Sequence, residues 1–324
     1  MQQILLVTSP FFLLVLGGFL AGRFRVLPHD SIPGLNTFVL YFALPAMLYR
    51  FGAETPTERL LDAGIFATYL LCALVMVAIV LFISRRGGLN WNDSSFGALV
   101  AAFPNSGFMG MPLLIALVGA EVAGPLIITI AVDMIITSSL CIALSQLAVT
   151  GDSHIGQVVV AALKRVLVNP LPWAILLGGL ASATGFELFG PLMQTVDMMA
   201  DAGPPAALFT IGAVLARSQA MASQPPASGG AGAGWANVPQ IVFLKLVLHP
   251  LLVLAAGKSL IWLGVSIDPY ALTMLVLVAA LPSASNVPML TERYRADTGR
   301  VARIVLITTA LSFLTFSTVV ALVL

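Results

Sequence analysis

Ten stretches of about 20 mostly apolar residues follow one another along this chain, with short polar breaks between them. They run over roughly 4–22, 32–50, 62–84, 94–118, 122–149, 170–185, 191–216, 238–263, 269–291 and 301–324. A bilayer core takes about 20 residues of helix, so the pattern predicts an all-α integral membrane protein of ten transmembrane helices. The sixth run is short and is expected to begin inside the amphipathic stretch 155–168. Only 9% of the 324 residues are charged and 59% are apolar. Such a chain is too poor in charge to cover a water-soluble fold, which excludes a soluble enzyme. The net charge of +1 excludes an electrostatic nucleic-acid binder. Cys72 and Cys141 lie in apolar runs and form no disulfide framework or metal motif. The start, Met-Gln-Gln, lacks a basic n-region, so the first run is expected to stay as the first span.

Basic residues set the expected orientation. The odd-numbered connections hold Arg23, Arg25, Arg85, Arg86, Lys164, Arg165, Arg217, Arg293, Arg295, Arg300 and Arg303, against Arg50, Arg59 and Lys258 in the even ones. By the positive-inside rule the odd connections are cytoplasmic and both termini extracytoplasmic. The expected location is the cell inner (plasma) membrane, and topology alone accounts for these cations. Residues 218–237, with Ser-Gln-Pro-Pro-Ala-Ser-Gly-Gly-Ala-Gly-Ala-Gly, are a flexible linker without chemistry.

Two segments echo each other. Val100-Ala-Ala-Phe-Pro104-Asn-Ser-Gly-Phe-Met-Gly-Met-Pro112 in the fourth run matches Val278-Ala-Ala-Leu-Pro282-Ser-Ala-Ser-Asn-Val-Pro288 in the ninth. An offset of five spans places the copies in opposite orientations, so the chain is expected to be an inverted repeat. Its halves would be 1–149 and 170–324, joined by a cytoplasmic amphipathic connection at 150–169. Paired prolines break a helix, and poor helix formers lie between them: Asn105, Ser106 and Gly107 in one copy, Ser283, Ser285 and Asn286 in the other. Matching interrupted spans mark a transporter's substrate site, and half-helix amino ends suit an anion. An ordinary kink explains one such span; two in register favour a paired break. Substrate binding is thus expected at Pro104, Asn105, Ser106, Gly107, Pro282, Ser283, Ser285 and Asn286.

Charges inside spans are rare and usually functional. Asp133 sits mid-way along the fifth run and is expected to take part in the site, with a buried helix–helix hydrogen bond as the alternative. Asp201, before Gly203-Pro204-Pro205, is a shallower candidate, and both acids are candidates for ion coupling. Lys245 and His249 are one turn apart; Lys245 is read as snorkelling and His249 as satisfying backbone near Pro250. Pro45, Pro112, Pro204, Pro205 and Pro288 are expected to kink their helices. Gly18-Phe-Leu-Ala-Gly22 is a GxxxG packing motif. An enzyme finds no support: nucleotide and HExxH motifs are missing, and Ser106 with His249 lacks a protease context. His29, His154 and His249 are too dispersed for a metal. No cofactor is implied.

The motifs Phe103-Pro104-Asn105-Ser106-Gly107 and Pro282-Ser-Ala-Ser-Asn286-Val-Pro288, with Phe42-Ala43-Leu44-Pro45 and Pro205-Ala-Ala-Leu-Phe-Thr-Ile-Gly212, resemble those of the auxin efflux carrier family over essentially the whole chain. Its bacterial members include proteins described as malonate transporters, and its fold is similar to that of bile-acid sodium symporters. The resemblance implies a scaffold of spans 1, 2, 6 and 7 and a moving domain of spans 3–5 and 8–10. The broken helices would cross at the substrate and travel in an elevator motion. Plant auxin exporters have a glutamine-type residue where this chain has Asp133. An ionised carboxylate beside an anion site must be protonated, paired or cation-bound, so Asp133 is expected to couple transport to protons. The sequence-level reading is a secondary transporter of a small organic carboxylate such as malonate, in membrane lipid, whose small-residue faces permit a homodimer. A sodium-coupled symporter and a ligand sensor that moves nothing are the alternatives.

Overall fold

The computed structural model describes residues 2–55, 62–119, 122–150, 168, 170–222 and 235–324. Most of the expected connection at 150–169 and most of the 218–237 linker lie outside them. The described residues are helical except for short links. Along the chain come α1 (Gln2–Arg23), α2 (Ile32–Phe38), α3 (Leu44–Glu54), α4 (Ala63–Arg86) and α5 (Trp91–Ala102). Then follow α6 (Met111–Val118), α7 (Ala123–Ala131), α8 (Ser138–Thr150), α9 (Pro170–Thr184) and α10 (Gly190–Ala222). The remainder is α11 (Val238–Phe243), α12 (His249–Trp262), α13 (Pro269–Ala279), α14 (Val287–Tyr294) and α15 (Thr298–Val323).

Seven helical stretches are long and apolar enough to cross a membrane: Leu6–Arg23, His29–Glu54, Ala63–Arg86, Ala123–Gln146, Gly190–Ala220, Val238–Trp262 and Thr298–Val323. Three shorter apolar helices are Ser106–Val118, Pro170–Thr184 and Pro269–Ala279. Each of the ten apolar runs overlaps one of these stretches. Two of the short ones are halves of runs that the paired prolines divide. The protein is therefore a multi-pass, all-helical membrane protein.

The prolines act locally in a consistent way. Wide π turns at Val39–Ala43, Ser106–Gly110 and Leu244–Leu248 each stand two residues before a proline, at Pro45, Pro112 and Pro250. A proline ring clashes with the carbonyl four residues back, and a widened turn relieves that clash. Pro288 instead starts α14 afresh. Pro204 and Pro205 lie inside the unbroken α10, with no change of helix type around them.

Two groups of helices result. In the first, α1 packs on α10 and α3 on α9. Both contacts depend on glycine. A Cβ on Gly18 would run into the Phe209 carbonyl and one on Gly212 into that of Val15; likewise Gly178 lies against the Tyr49 carbonyl and Gly52. Backbones thus approach as closely as in small-residue membrane packing, with Gly18 and Gly22 of the GxxxG both on the shared face. In the second group α4 packs on α5, α5 on α8, and α12 on α13 and α4. Arg300, at the start of α15, is buried there. It donates to the Asp93 carbonyl at 3.0 Å and the Ala236 carbonyl at 2.9 Å, so this cation fastens helix ends together as well as marking a side.

Candidate functional site

The two interrupted runs meet. After α5 the chain extends through Phe103 and Pro104, and after α13 through Leu281 to Ala284. The two segments pass antiparallel, with Pro104 opposite Ser283. The Asn105 amide donates to the Pro282 carbonyl at 2.8 Å and the Ala284 amide to the Phe103 carbonyl at 3.0 Å. The Ser283 amide donates to Thr308 Oγ1 on α15 at 3.3 Å. Backbone freed by proline must find partners inside protein at membrane depth; here each interrupted segment supplies them to the other.

Beside this crossing lies a small cavity. One wall is apolar, built by Leu40, Leu44, Met47 and Leu48, and the opposite wall carries Pro104, Asn105, Ser106, Gly107 and Asn286. Asn105 is 2% exposed. Its Nδ2, Ser283 Oγ and Asn286 Oδ1 are buried polar atoms without a hydrogen-bond partner. A buried, unpaired amide costs about 1–3 kcal/mol, so a side chain in that state beside a hollow suits a ligand that accepts its proton. Gly107 faces open space, and a side chain there would project into it. Of the eight residues expected to bind substrate, five line the cavity. Pro282 and Ser283 form the crossing itself, and Ser285 is buried next to it without joining the wall.

Asp133 lies behind this wall. Its neighbours Ile130 and Met134 line the cavity, while its own carboxylate, 0% exposed, belongs to another cluster. Tyr69 OH donates to Oδ2 at 2.7 Å and Thr137 Oγ1 to Oδ1 at 3.2 Å. Lys245 joins the cluster through His249. Its Nζ lies 3.0 Å from His249 Nδ1 and donates to the Ala279 carbonyl at 3.2 Å. The His249 ring stands 6.3 Å from that of Tyr69, and His249 Nε2 is buried without a partner. Helices α4, α12 and the π turn Val132–Thr137 bring these groups together. The carbonyl that Lys245 holds belongs to the last residue of α13, where cations are favoured by the exposed carbonyl dipoles. The next residues form the crossing.

Asp201 is elsewhere. It accepts from Arg50 Nη1 at 2.8 Å on the α3–α10 face, with Asp197 at 3.6 Å from the same nitrogen. Its side chain is 71% exposed, so the two acids do not share a site. Tyr69 and Thr137 carry no mark in the sequence beyond a hydroxyl in an apolar run, although Thr137 stands one turn after Asp133. Lys245 and His249 were visible as a pair, but their partner Asp133 is more than a hundred residues away.

The profile of the family described as membrane transport protein matches residues 5–320. A "Putative malonate transporter" of Rhizobium meliloti (strain 1021) is 31% identical over 97% of this chain and 94% of that protein. The "Uncharacterized transporter YfdV" of Escherichia coli (strain K12) is 26% identical over 89% of this chain and 88% of its own. "Auxin efflux carrier component 8" of Arabidopsis thaliana is 21% identical over 85% of each chain.

Proposed function

The chain belongs to the membrane transport protein family of auxin efflux carriers, and from that premise we propose that it is a secondary transporter of a small organic carboxylate, malonate being the leading candidate. The observation that carries this reading is the crossing: a buried, unpartnered amide on Asn105 at the wall of a cavity. The relative named for malonate supports the substrate class. The carboxylate would sit against the Asn105 side-chain amide and the N–H groups of Gly107 and Phe108 at the amino-terminal end of the second half of the broken fourth span, which favours an anion. The apolar wall from Leu40 to Leu48 would cover its methylene part.

Movement is proposed to follow an elevator scheme. The group built on α1, α2, α3, α9 and α10 stays fixed, and the group holding the crossing slides against it. The glycine-mediated pairs support this division, because α1 on α10 and α3 on α9 have equivalent contacts. In an inverted ten-span repeat, spans 1 and 7 exchange with spans 6 and 2, so equivalent packing is what that symmetry requires. The odd connections are proposed to be cytoplasmic and the termini extracytoplasmic.

Asp133 is proposed to carry the coupling proton. It stands behind the cavity wall in one cluster with Lys245, whose ammonium would balance its charge, so it need not repel a bound anion. Protonating it removes the counter-charge of Lys245, the residue that holds the end of α13 at Ala279. Proton binding is thereby relayed to the crossing. A metal cation takes several oxygen ligands, whereas the ammonium of Lys245 already supplies positive charge here, which favours protons over sodium.

The test is counterflow of labelled malonate in proteoliposomes. Wild-type protein should exchange it, and Asn105→Ala should raise KM roughly 10- to 150-fold, the loss of a hydrogen bond to a charged group worth about 1.5–3 kcal/mol. Exchange by Asn105→Ala with wild-type KM would refute the placement of substrate at the crossing.

A further inference from the structure

We infer that the substrate reaches the crossing from the 218–237 side along the seam between α2 and α14, through a second polar cleft in which Arg217 receives the carboxylate. The inference rests on the transporter reading above and adds a route and a residue to it.

A small polar hollow opens between three helices. It is bounded by Asn36 of α2, Arg217 and Ser218 of α10, and Met289 and Glu292 of α14. Its position is the first reason for the inference. Asn36 is one helical turn from Leu40, and Met289 is three residues beyond Asn286; Leu40 and Asn286 line the cavity at the crossing. The two hollows therefore follow one another on the same seam, between α2 of the proposed fixed group and α14 of the moving one.

The contact that separates them is the second reason. Asn36 is 5% exposed, yet its Nδ2 donates to the thioether of Met289 at 3.6 Å. Sulfur of this kind is a weak acceptor, and methionine is flexible and easily displaced. A polar amide kept at a buried seam by so soft a contact is suited to release when a carboxylate passes. Asn36 and Met289 form the constriction.

Charge is the third reason. Arg217 and Glu292 stand on the α10 and α14 walls of the cleft, and among the described residues neither is in an ion pair. A guanidinium presents its donors in the plane that a carboxylate accepts, so Arg217 draws the anion in, with the buried Ser218 hydroxyl beside it. Glu292 opposes it. Removing one charge or the other must then act in opposite directions.

The experiment uses Met289→Cys protein in proteoliposomes of known sidedness and two membrane-impermeant thiosulfonate reagents, one anionic and one cationic. Cys72 and Cys141 are buried, and the parent protein serves as the blank. Modification is expected only from the face carrying the 218–237 segment. The anionic-to-cationic rate ratio should fall about fivefold with Arg217→Gln and rise about fivefold with Glu292→Gln, the effect of one charge at about 4 Å in water. In parallel, Arg217→Gln should raise KM for labelled malonate about fivefold from that face, with kcat unchanged. Modification from the opposite face alone, or a ratio unmoved by Arg217→Gln, overturns the route. Retained charge preference without malonate flux supports the route and rejects malonate. Normal malonate flux with no charge preference keeps the transporter reading and rejects the route.

Discussion

Asp133 sits in a run of apolar residues, and both of its oxygens accept hydroxyl protons, from Tyr69 at 2.7 Å and Thr137 at 3.2 Å. Placing a carboxylate at such depth costs about 2.5–3.5 kcal/mol, and these donors offset part of the cost. The isolation of the acid was legible in the sequence, because nothing else in the fifth run is charged. Its neighbours were not. Tyr69 looks like any aromatic residue in a span, and Lys245 and His249 suggest a local arrangement near Pro250, whereas the fold sets Lys245 on the Ala279 carbonyl of α13 and the His249 ring beside Tyr69 of α4. If Asp133 carries the proton, Asp133→Asn separates two activities. Counterflow of labelled malonate, which needs no net proton movement, should stay within about threefold of wild type, since the amide still accepts from Tyr69. Uptake driven by an imposed proton gradient should fall to the level seen without the gradient. Wild-type proton-driven accumulation by the variant would reject the assignment. Tyr69→Phe, which leaves Asp133 Oδ2 without its donor, should cost about 1.5–3 kcal/mol, read as a lowered unfolding midpoint in detergent.

At the scale of elements, the prolines were the most informative letters in the chain. Pro104 and Pro282 announce that two runs break, and the structure joins the broken ends in one antiparallel crossing. Pairing of the fourth and ninth runs was foreshadowed by the repeated Val-Ala-Ala-x-Pro, but the hydrogen bonds from Asn105 to Pro282 and from Ala284 to Phe103 were not, since no periodicity encodes a contact between coil segments. At Pro204 and Pro205, by contrast, α10 keeps one helix type through both prolines. Glycines tell a similar story. Gly18 and Gly22 were recognisable as a packing motif, while the partner face, with Gly212 against Val15, is a product of the fold. Gly18→Val and Gly212→Val each drive a branched side chain into a carbonyl of the facing helix. Overpacking of this kind costs about 1–3 kcal/mol or more. Both variants should lose most of their folded yield, measured as the monodisperse fraction in size-exclusion chromatography. Gly107→Ala, which faces open space, should keep its yield and alter only transport. Equal yields for all three would mean that the α1–α10 contact does not hold the first group of helices together.

The whole molecule must connect a cavity that lies between two helix groups with a charged cluster that lies within one of them. The crossing is where they meet. Lys245 holds Ala279, α13 ends there, and the following residues pair with Asn105 at the cavity wall. On the proposed coupling, a change of charge at Asp133 would alter the crossing without touching the substrate, and a bound anion would alter the cluster by the same path. Because binding linkage is reciprocal, proton and substrate should each strengthen the binding of the other. A proton gradient of two pH units, acid on the side of supply, is worth about 2.7 kcal/mol per proton. At a stoichiometry of one it supports a concentration ratio of about 100. Labelled malonate should therefore accumulate in proteoliposomes under that gradient, toward a ratio bounded by 100, while an equal sodium gradient at uniform pH should give equilibration and no accumulation. The reverse result, accumulation with sodium and none with protons, would move the coupling ion to another group of ligands and leave the Asp133–Lys245 cluster as structural. Equilibration under both gradients would make the protein a uniporter, with the cluster fixing the crossing and carrying nothing across.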